Sequence, residues 1–293
     1  MRFGLNLQNY GPLGRRDAIE SLADTAQELG YTSVWVSDHI LMPDTHPEPY
    51  GRLVEALTTL GYIAGRCPDL GLGTSVLVLP QRDPILLAKQ TAALHELSGG
   101  RFTLGIGVGW VEGEYELLGA PWRTRGKTAD EYLEAITELW TSPQPSYDGA
   151  LVRFRDALFA PQPGPGGVPI VVGGDSDAAL RRAARYGSGW QAIHTSPVRI
   201  REAVARLAAL PGGADLEIQL RIAAHVDGPV PRPVGPCIQG RVDEVRAAVA
   251  AYEAAGVDQL IVEFREPDLA SVLAQMAEFA TAVDLQTADL AGP

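Results

Sequence analysis

A carboxylate and an imidazole stand side by side at Asp38 and His39, directly after the short apolar run Val34, Trp35 and Val36. Such a run is typical of a buried parallel strand. In parallel α/β folds, catalytic side chains collect where the strands end. Because imidazole titrates near neutral pH, a histidine held by a carboxylate there could move a proton. The alternative interpretation is that Asp38 caps the next segment and His39 only packs.

A second candidate site lies where the apolar run 169–172 passes into Gly173, Gly174, Asp175 and Ser176. The Ala-rich segment that follows is predicted to be a helix. Bare glycine backbone, the positive end of a helix and the Ser176 hydroxyl would together suit an anion such as a phosphate. An ordinary tight turn between a strand and a helix has the same pattern.

Three further predicted strands end in glycine or short polar residues. Ser75 lies inside the glycine-containing run 70–78, Gly109 and Trp110 follow the run 101–108, and His194 and Thr195 follow the run 190–193. Glycine within a strand often marks a bulge or a close approach of backbone to a ligand. Parallel strands would bring all these ends to one edge.

The elements that must position these residues alternate between strands and helices eight times. Apolar runs predict strands at 2–7, 34–36, 70–78, 101–108, 169–172, 190–193, 217–226 and 259–263, with helical patterns between and after them. Asp83 before Pro84 predicts one helix start, and Thr128 with Glu131 predicts a capping box for another. Eight such units predict a closed (β/α)8 TIM barrel.

The domain organisation follows from the same pattern. We expect a single barrel domain over 1–283, an insertion at about 142–168 after the fourth strand–helix unit, and a C-terminal tail over 284–293. The proline-rich segment at about 227–240 is too long for a plain connection and is a candidate lid.

Composition excludes several classes of partner. The chain has 293 residues, a formal net charge of −12 and no basic block, so nucleic acid and anionic membrane are poor partners. No apolar run reaches the ~18 residues of a membrane span. The first residues lead directly into a strand, and Cys67 and Cys237 have neither metal-ligand nor disulfide-scaffold spacing. We therefore expect a cytoplasmic protein without a metal site.

Five segments resemble the luciferase-like family of flavin- and deazaflavin-dependent barrels. They are Ser37–His39, Gly73–Val76, the helix start at Asp83 and Pro84, Gly100–Trp110, and Val171–Ser176. They occur in the family's order and spacing, and the resemblance extends from residue 1 to about 280.

The Asp-His pair resembles the branch of this family that uses coenzyme F420, an 8-hydroxy-5-deazaflavin. The resemblance implies an oxidoreductase in which His39 lies near the ring and substrate as a catalytic residue and Asp38 orients it. It implies a bulge, often with a non-proline cis peptide, at Ser75 and Val76. The implied cofactor-binding residues are Asp38, His39, Thr74, Ser75, Val76, Val108, Gly109, Trp110, Val172, Gly173, Gly174, Asp175, Ser176, His194 and Thr195.

One position departs from the sugar-phosphate dehydrogenases of that branch, which carry a glutamate where this chain has Trp110. The difference argues against glucose 6-phosphate as the substrate. It leaves His39, Glu112, Tyr50 and His194 as candidate proton donors.

Two other functions share the predicted fold. One is a two-component monooxygenase that uses oxygen and reduced FMN from a separate reductase, and the other is a non-catalytic flavin-binding relative. For the leading hypothesis we expect hydride transfer between coenzyme F420 and a small organic substrate. The resemblance also implies a homodimer.

Overall fold

Eight parallel strands close into a barrel in the computed structural model, which describes residues 1–45 and 48–285. Most of the predicted tail, residues 286–293, lies outside the described residues. The barrel strands are β1 (Arg2–Asn6), β2 (Ser33–Val36), β3 (Gly71–Thr74), β4 (Phe102–Gly107), β5 (Ile170–Gly173), β6 (Gly189–Ile193), β7 (Glu217–Val226) and β8 (Gln259–Glu263). Each pairs with its neighbour, and the pairing of Arg2 with Gln259 joins β8 to β1. The predicted (β/α)8 barrel with an insertion after its fourth unit is confirmed.

Nine helices are found among the described residues. They are α1 (Arg16–Glu28), α2 (Ala56–Arg66), α3 (Pro84–Leu97), α4 (Glu112–Leu118), α5 (Arg125–Thr141), α6 (Asp177–Tyr186), α7 (Pro197–Ala208), α8 (Val242–Glu253) and α9 (Leu269–Ala282). Their apolar faces pack around the barrel; in α1 this face is Ala18, Ile19, Leu22, Ala23 and Ala26. The predicted start of α3 is confirmed, since Asp83 accepts a hydrogen bond from the Leu86 N–H at 2.8 Å and Pro84 is the first helical residue.

The fourth unit contains two helices where the sequence predicted one. The predicted capping box at Thr128 and Glu131 is wrong, because α5 begins four residues earlier than that box requires, at Arg125. Thr128 is buried inside the helix. Glu131 instead accepts hydrogen bonds from the backbone N–H groups of Leu151 and Val152 in the insertion. The Thr-x-x-Glu pattern therefore does not mark a helix start here, because its glutamate binds the backbone of the insertion.

The segment between α5 and β5 forms a small hairpin outside the barrel. Tyr147–Asp148 pairs antiparallel with Arg153–Phe154. The proline-rich segment after β7 ends at another short strand, Ile238–Gly240, which pairs with the end of β7. Both segments leave the barrel strands uninterrupted.

Polar side chains form a continuous chain of hydrogen bonds through the barrel interior. Ser75 Oγ donates to Gln191 Oε1 at 2.6 Å, Gln191 Nε2 to Gln219 Oε1 at 3.0 Å, and Gln219 Nε2 to Gln259 Oε1 at 3.2 Å. Gln259 Nε2 then donates to Ser33 Oγ at 2.6 Å. The chain therefore links the segment after β3 to β6, β7, β8 and β2 and satisfies amides that burial would otherwise penalise.

The described residues contain no helix long and apolar enough to cross a membrane. Within the same ranges, no three or more His, Cys, Asp or Glu side chains are grouped to hold a metal ion. Cys67 is a buried free thiol and Cys237 a partly exposed one.

Candidate active site

His39 lies after β2 with its ring held by a carboxylate from a distant part of the chain. Its Nδ1 is 2.9 Å from Glu114 Oε2, and both side chains are buried. Glu114 comes from the short helix α4, 75 positions along the chain. The other carboxylate oxygen accepts hydrogen bonds from the Ile40 N–H at 2.7 Å and the Leu41 N–H at 3.3 Å. Glu114 therefore fixes both the ring of His39 and the backbone that follows it.

The ionisation of Glu114 decides which nitrogen of His39 carries the proton. Burial alone would raise the pKa of Glu114, but hydrogen bonds from His39 and the Ile40 N–H outweigh burial and hold the pKa below its usual 4.5. An ionised carboxylate can only accept, so Nδ1 of His39 must donate. In a neutral ring Nε2 is then an acceptor, able to take a proton from a ligand.

Asp38 does not orient His39, and that prediction is wrong. Asp38 Oδ2 accepts from the Val78 N–H at 2.9 Å, and Oδ1 pairs with Arg82 at 2.5 Å. Arg82 also pairs with Glu55 at 3.2 Å. Consecutive residues of an extended segment point to opposite sides, so Asp38 faces the segment after β3 while His39 faces α4. Asp38 thus supports the site by anchoring its neighbouring loop.

The segment after β3 has the bulge that the sequence resemblance implied. The peptide between Ser75 and Val76 is cis. The Val76 side chain packs where Gly107 and Gly173 leave room, since a Cβ at those positions would lie 2.6 Å and 2.9 Å from its methyl groups. The Ser75 carbonyl accepts a hydrogen bond from Arg221 at 2.8 Å. These contacts present the Ser75–Val76 backbone at the mouth of the barrel.

The junction of β5 and α6 has the geometry expected of an anion site. Ser176 caps α6 by accepting from the Ala179 N–H at 3.2 Å, which leaves its hydroxyl proton able to reach a ligand. Gly174 has a φ of 114° and is exposed, a conformation that side chains rarely adopt. Its carbonyl accepts from the indole N–H of Trp190 at 2.6 Å, which anchors the turn. Asp175 is exposed on the same turn.

A buried ion-pair network lies below the ends of β6, β7 and β8. Glu263 accepts from Arg221 at 2.9 Å and from Arg265 at 2.8 Å. Burial would raise the pKa of Glu263, but the two guanidinium groups outweigh it and keep the pKa low. Arg221 also donates to Ser37 Oγ at 3.1 Å, so the network contacts the segment that carries His39.

His194 joins this network as a neutral side chain. Arg265 approaches its Nε2 at 3.0 Å. Burial lowers the pKa of His194 to about 4; Glu263 opposes this effect and Arg265 adds to it. At neutral pH the His194 ring is therefore uncharged. Its Nε2 accepts a hydrogen bond from Arg265, so this nitrogen has no proton to donate to a ligand. Its Nδ1 is buried without a partner among the described residues.

Aromatic rings pack around the buried imidazole of His39. The Tyr50 ring lies 4.6 Å from that of His39, Tyr10 lies 4.9 Å from Tyr50, and Trp110 stands edge-on to His39 at 6.0 Å. We call Tyr10, His39, Tyr50 and Trp110 the aromatic wall. Trp110 is 61% exposed and so forms the outer end of the wall.

Asn6 ends β1 and is buried below the mouth, with neither of its side-chain polar atoms hydrogen-bonded within the described structure. A buried amide without partners is costly, so such a group marks a place where a ligand or water would be satisfied. Asn6 was not among the site residues predicted from the sequence. Its position on the barrel-facing side of the strand distinguishes it from its neighbour Leu5, which packs in the core.

Several predicted cofactor-binding side chains point elsewhere. Val172 is fully buried in the core between barrel and helices, so its side chain cannot line the mouth. Thr74 is also buried and donates to the Gly105 carbonyl at 2.6 Å. Val108 packs against the core while its carbonyl accepts from Tyr115, and Thr195 donates to the Ile193 carbonyl at 2.9 Å. The buried residues Val172 and Thr74 can therefore offer a ligand backbone atoms at most, whereas Val108 and Thr195 are partly exposed. Gly109 is constrained differently, because a Cβ there would lie 2.8 Å from Val78.

Among the candidate proton donors, only His39 and Tyr50 lie together. Glu112 is exposed at the start of α4, two residues before the buried Glu114. Glu114 was not among the site residues predicted from the sequence. The signal that could have found it is the alternation within α4, where Glu114 and Tyr115 are buried between exposed glutamates.

Comparison with known proteins places this barrel in a family. The family model described as luciferase-like monooxygenase matches residues 1–228. An uncharacterized protein of Mycobacterium tuberculosis is 34% identical over 203 residues, which cover 64% of this chain and 69% of the relative. The F420-dependent glucose-6-phosphate dehydrogenase of Amycolatopsis mediterranei is 33% identical over 187 residues, which cover 62% of this chain and 54% of that enzyme. The match therefore spans about half the length of the dehydrogenase.

Solved structures share the whole fold. An F420-dependent secondary alcohol dehydrogenase in complex with an F420-acetone adduct superposes with a TM-score of 0.80 at 19% identity, covering 96% of this chain and 98% of the other. The monooxygenase RslO1 from Streptomyces bottropensis superposes with a TM-score of 0.82 at 21% identity, covering 97% and 98%. Because the family model matches most of the chain, the protein belongs to the luciferase-like monooxygenase family.

Proposed function

We propose that this protein is an oxidoreductase that uses coenzyme F420 to transfer a hydride to or from a small organic substrate. The observation that carries the proposal is the pairing of His39 with Glu114 at the mouth that also presents the Ser75–Val76 bulge. The F420-dependent relatives described above support the choice of cofactor.

The residues at the mouth fit such a cofactor. The exposed backbone at Gly174 and the Ser176 hydroxyl at the start of α6 suit its phosphate. The bulge at Ser75 and Val76 and the turn at Gly109 offer backbone and a small apolar surface to a flat ring. The unpartnered amide of Asn6 below them suits a polar ring edge or a substrate oxygen. When bound, coenzyme F420 supplies a ring carbon that gives or accepts hydride.

His39 handles the substrate proton in this proposal. Its Nδ1–H is held by Glu114, so Nε2 accepts the hydroxyl proton of a substrate being oxidised and returns it in the reverse direction. Tyr50, 4.6 Å away, packs on the imidazole and limits access of water. We expect His39→Ala to lower turnover by about two orders of magnitude or more while the protein stays folded. Unchanged turnover in the folded variant would remove His39 from the mechanism.

A second candidate is a monooxygenase that uses reduced FMN and a separate reductase. The feature that supports it is the helix start at Ser176, where a single phosphate such as that of FMN could bind, together with the likeness to RslO1. A homodimer and a cytoplasmic location remain predictions; light scattering of the purified protein measures the first and cell fractionation the second.

Side-by-side titration with oxidised coenzyme F420 and with FMN, followed by calorimetry, tests the choice of cofactor. Tight binding of F420 and weak binding of FMN would support the proposal. The reverse order would favour the monooxygenase, and binding of neither would contradict both. Gly174→Val should weaken binding of the preferred cofactor, because valine rarely adopts the φ of 114° found at this position. Gly61→Val, on an exposed helix face with open space around it, is the control.

A further inference from the structure

The substrate side of the mouth is built from rings and exposed aliphatic side chains. The aromatic wall continues from the buried Tyr10 through Tyr50 and His39 to the exposed Trp110. Directly after His39, Ile40 is 44% exposed and Leu41 50% exposed. Large apolar side chains left accessible beside a reactive imidazole favour a ligand with an apolar body.

The charges near the wall are already paired. Three arginines contact residues of the site, and each is bound to a carboxylate: Arg82 to Asp38 and Glu55, Arg221 to Glu263, and Arg265 to Glu263. An anionic substrate that recruited Arg82 would compete with the buried carboxylate of Asp38, and one that recruited Arg221 or Arg265 would weaken the ion pairs of the buried Glu263; both changes are unfavourable.

A fourth carboxylate increases the negative charge close to the reacting position. Glu114 is ionised and buried directly behind His39. Together with Asp38, Glu55 and Glu263 it gives this part of the site more carboxylates than guanidinium groups. A phosphate or carboxylate on the substrate would meet repulsion in a region of low dielectric.

The geometry points to an uncharged substrate with an aromatic or other flat apolar body next to an alcohol or ketone carbon; this inference rests on the proposed function. The body lies against Tyr50 and Trp110, and the oxygen faces Nε2 of His39. In oxidation Nε2 of His39 would accept the O–H proton while the C–H hydrogen leaves with its electron pair as hydride and the C–O bond becomes C=O. Oxidised coenzyme F420, when bound, would supply the acceptor of that hydride. The substrate loses two electrons and the cofactor gains them.

A matched pair of ketones tests this inference. Acetophenone and 4-acetylbenzoate share the ring and the ketone and differ by one carboxylate. We expect acetophenone to bind the complex with oxidised F420 at least tenfold more tightly than 4-acetylbenzoate, and glucose 6-phosphate to bind more weakly than either, as measured by calorimetry. Equal or tighter binding of a charged probe, or binding of neither acetophenone nor the larger 2-acetylnaphthalene, would overturn the inference.

Variants locate the binding surface. Trp110→Ala should weaken acetophenone binding about three- to tenfold, the usual effect of losing one aromatic contact. Leu158→Ala, in the insertion and 98% exposed, is the control and should leave binding unchanged. Equal effects of the two variants would contradict the assigned surface.

A measurement of F420 binding without substrate distinguishes a wrong substrate class from a wrong proposed function. If F420 binds and the charged probe is preferred, only the substrate class is wrong. If F420 fails to bind, the proposed function and the inference that rests on it both fail.

Discussion

Glu114→Gln replaces the carboxylate that holds His39 with an amide of nearly the same shape. The amide oxygen can keep the hydrogen bonds from the Ile40 and Leu41 N–H groups, measured at 2.7 and 3.3 Å. Its NH2 group then faces Nδ1 of His39, where the carboxylate oxygen lay at 2.9 Å. Because an NH2 group donates, Nδ1 must become an acceptor and the ring proton moves to Nε2. The variant therefore tests the tautomer of His39 without creating a cavity in the core.

The expected cost follows from the loss of charge, because the amide keeps its contacts with His39, Ile40 and Leu41 only as hydrogen bonds between neutral groups. A hydrogen bond to a charged group contributes about 1.5–3 kcal/mol, or roughly a 10- to 150-fold change in an equilibrium constant. We expect Glu114→Gln to lower the free energy of unfolding by an amount in that range at pH 7, measured in urea. Turnover should fall by at least tenfold, because a protonated Nε2 cannot accept a substrate proton.

The pH dependence has a defined sign. Because the pKa of Glu114 is held below its usual 4.5 in the folded protein, its ionised form stabilises the fold above that pH. This contribution is lost as the pH falls through the folded-state pKa, so wild type and Glu114→Gln should become more alike below about pH 4.5. Glu112→Gln, an exposed position on the same helix, should match wild type throughout.

Nitrogen-15 NMR of His39 gives the direct readout, with the signal assigned by its loss in His39→Asn. In the neutral ring of the wild type, Nδ1 should carry the proton and Nε2 should be unprotonated. In Glu114→Gln, Nε2 should carry the proton and Nδ1 should be unprotonated. A Glu114→Gln protein with wild-type stability at pH 7 and the same tautomer at His39 would refute the role assigned to Glu114.

Three further predictions concern the fold around the site. Arg82→Met should destabilise the protein by about 3–5 kcal/mol in urea unfolding, because it leaves the buried carboxylate of Asp38 without its ion-pair partner. Arg66→Met, at an exposed ion pair, should cost much less; equal costs would contradict the burial argument. Gly105→Ala should sharply lower the melting temperature, since its Cβ would lie 1.8 Å from a backbone carbonyl oxygen, whereas Gly61→Ala on a helix with open space should be neutral or stabilising. Because the pKa of His194 is lowered to about 4 in the folded protein, its imidazole is protonated first in the unfolded chain as the pH falls. The free energy of unfolding should therefore decrease between pH 6.5 and 4, by up to about 2 kcal/mol after solvent screening. His194→Gln should reduce this dependence of stability on pH.

The sequence is sufficient to predict the strands and helices because the residue patterns that mark them involve only neighbouring positions. The bounds of the strands Glu217–Val226 and Gln259–Glu263 follow from apolar runs, and the start of α3 follows from Asp83 before Pro84. Parallel topology then brings the end of β2 and the β5–α6 turn to one mouth. These inferences need no knowledge of which side chains touch.

The partners of the site residues could not be predicted in the same way. His39 and Glu114 are 75 positions apart, and Arg221 reaches Ser37 across 184 positions. Adjacency in sequence favoured Asp38 as the partner of His39, although neighbouring residues in an extended chain face apart. The alternation of polar residues in β7, at Gln219 and Arg221, is a signal for the barrel interior but does not reveal what each side chain binds.

The chain of amides through the barrel has a direction. Each glutamine donates with its nitrogen and accepts with its oxygen, from Ser75 through Gln191, Gln219 and Gln259 to Ser33. No single amide can rotate by half a turn without placing two like groups face to face, so the orientations can reverse only together. The Ser75 hydroxyl, buried beneath the mouth, is thereby linked to a serine on the second strand. A substitution at Gln259, which does not touch Ser75, should change the orientation of that hydroxyl beneath the barrel mouth.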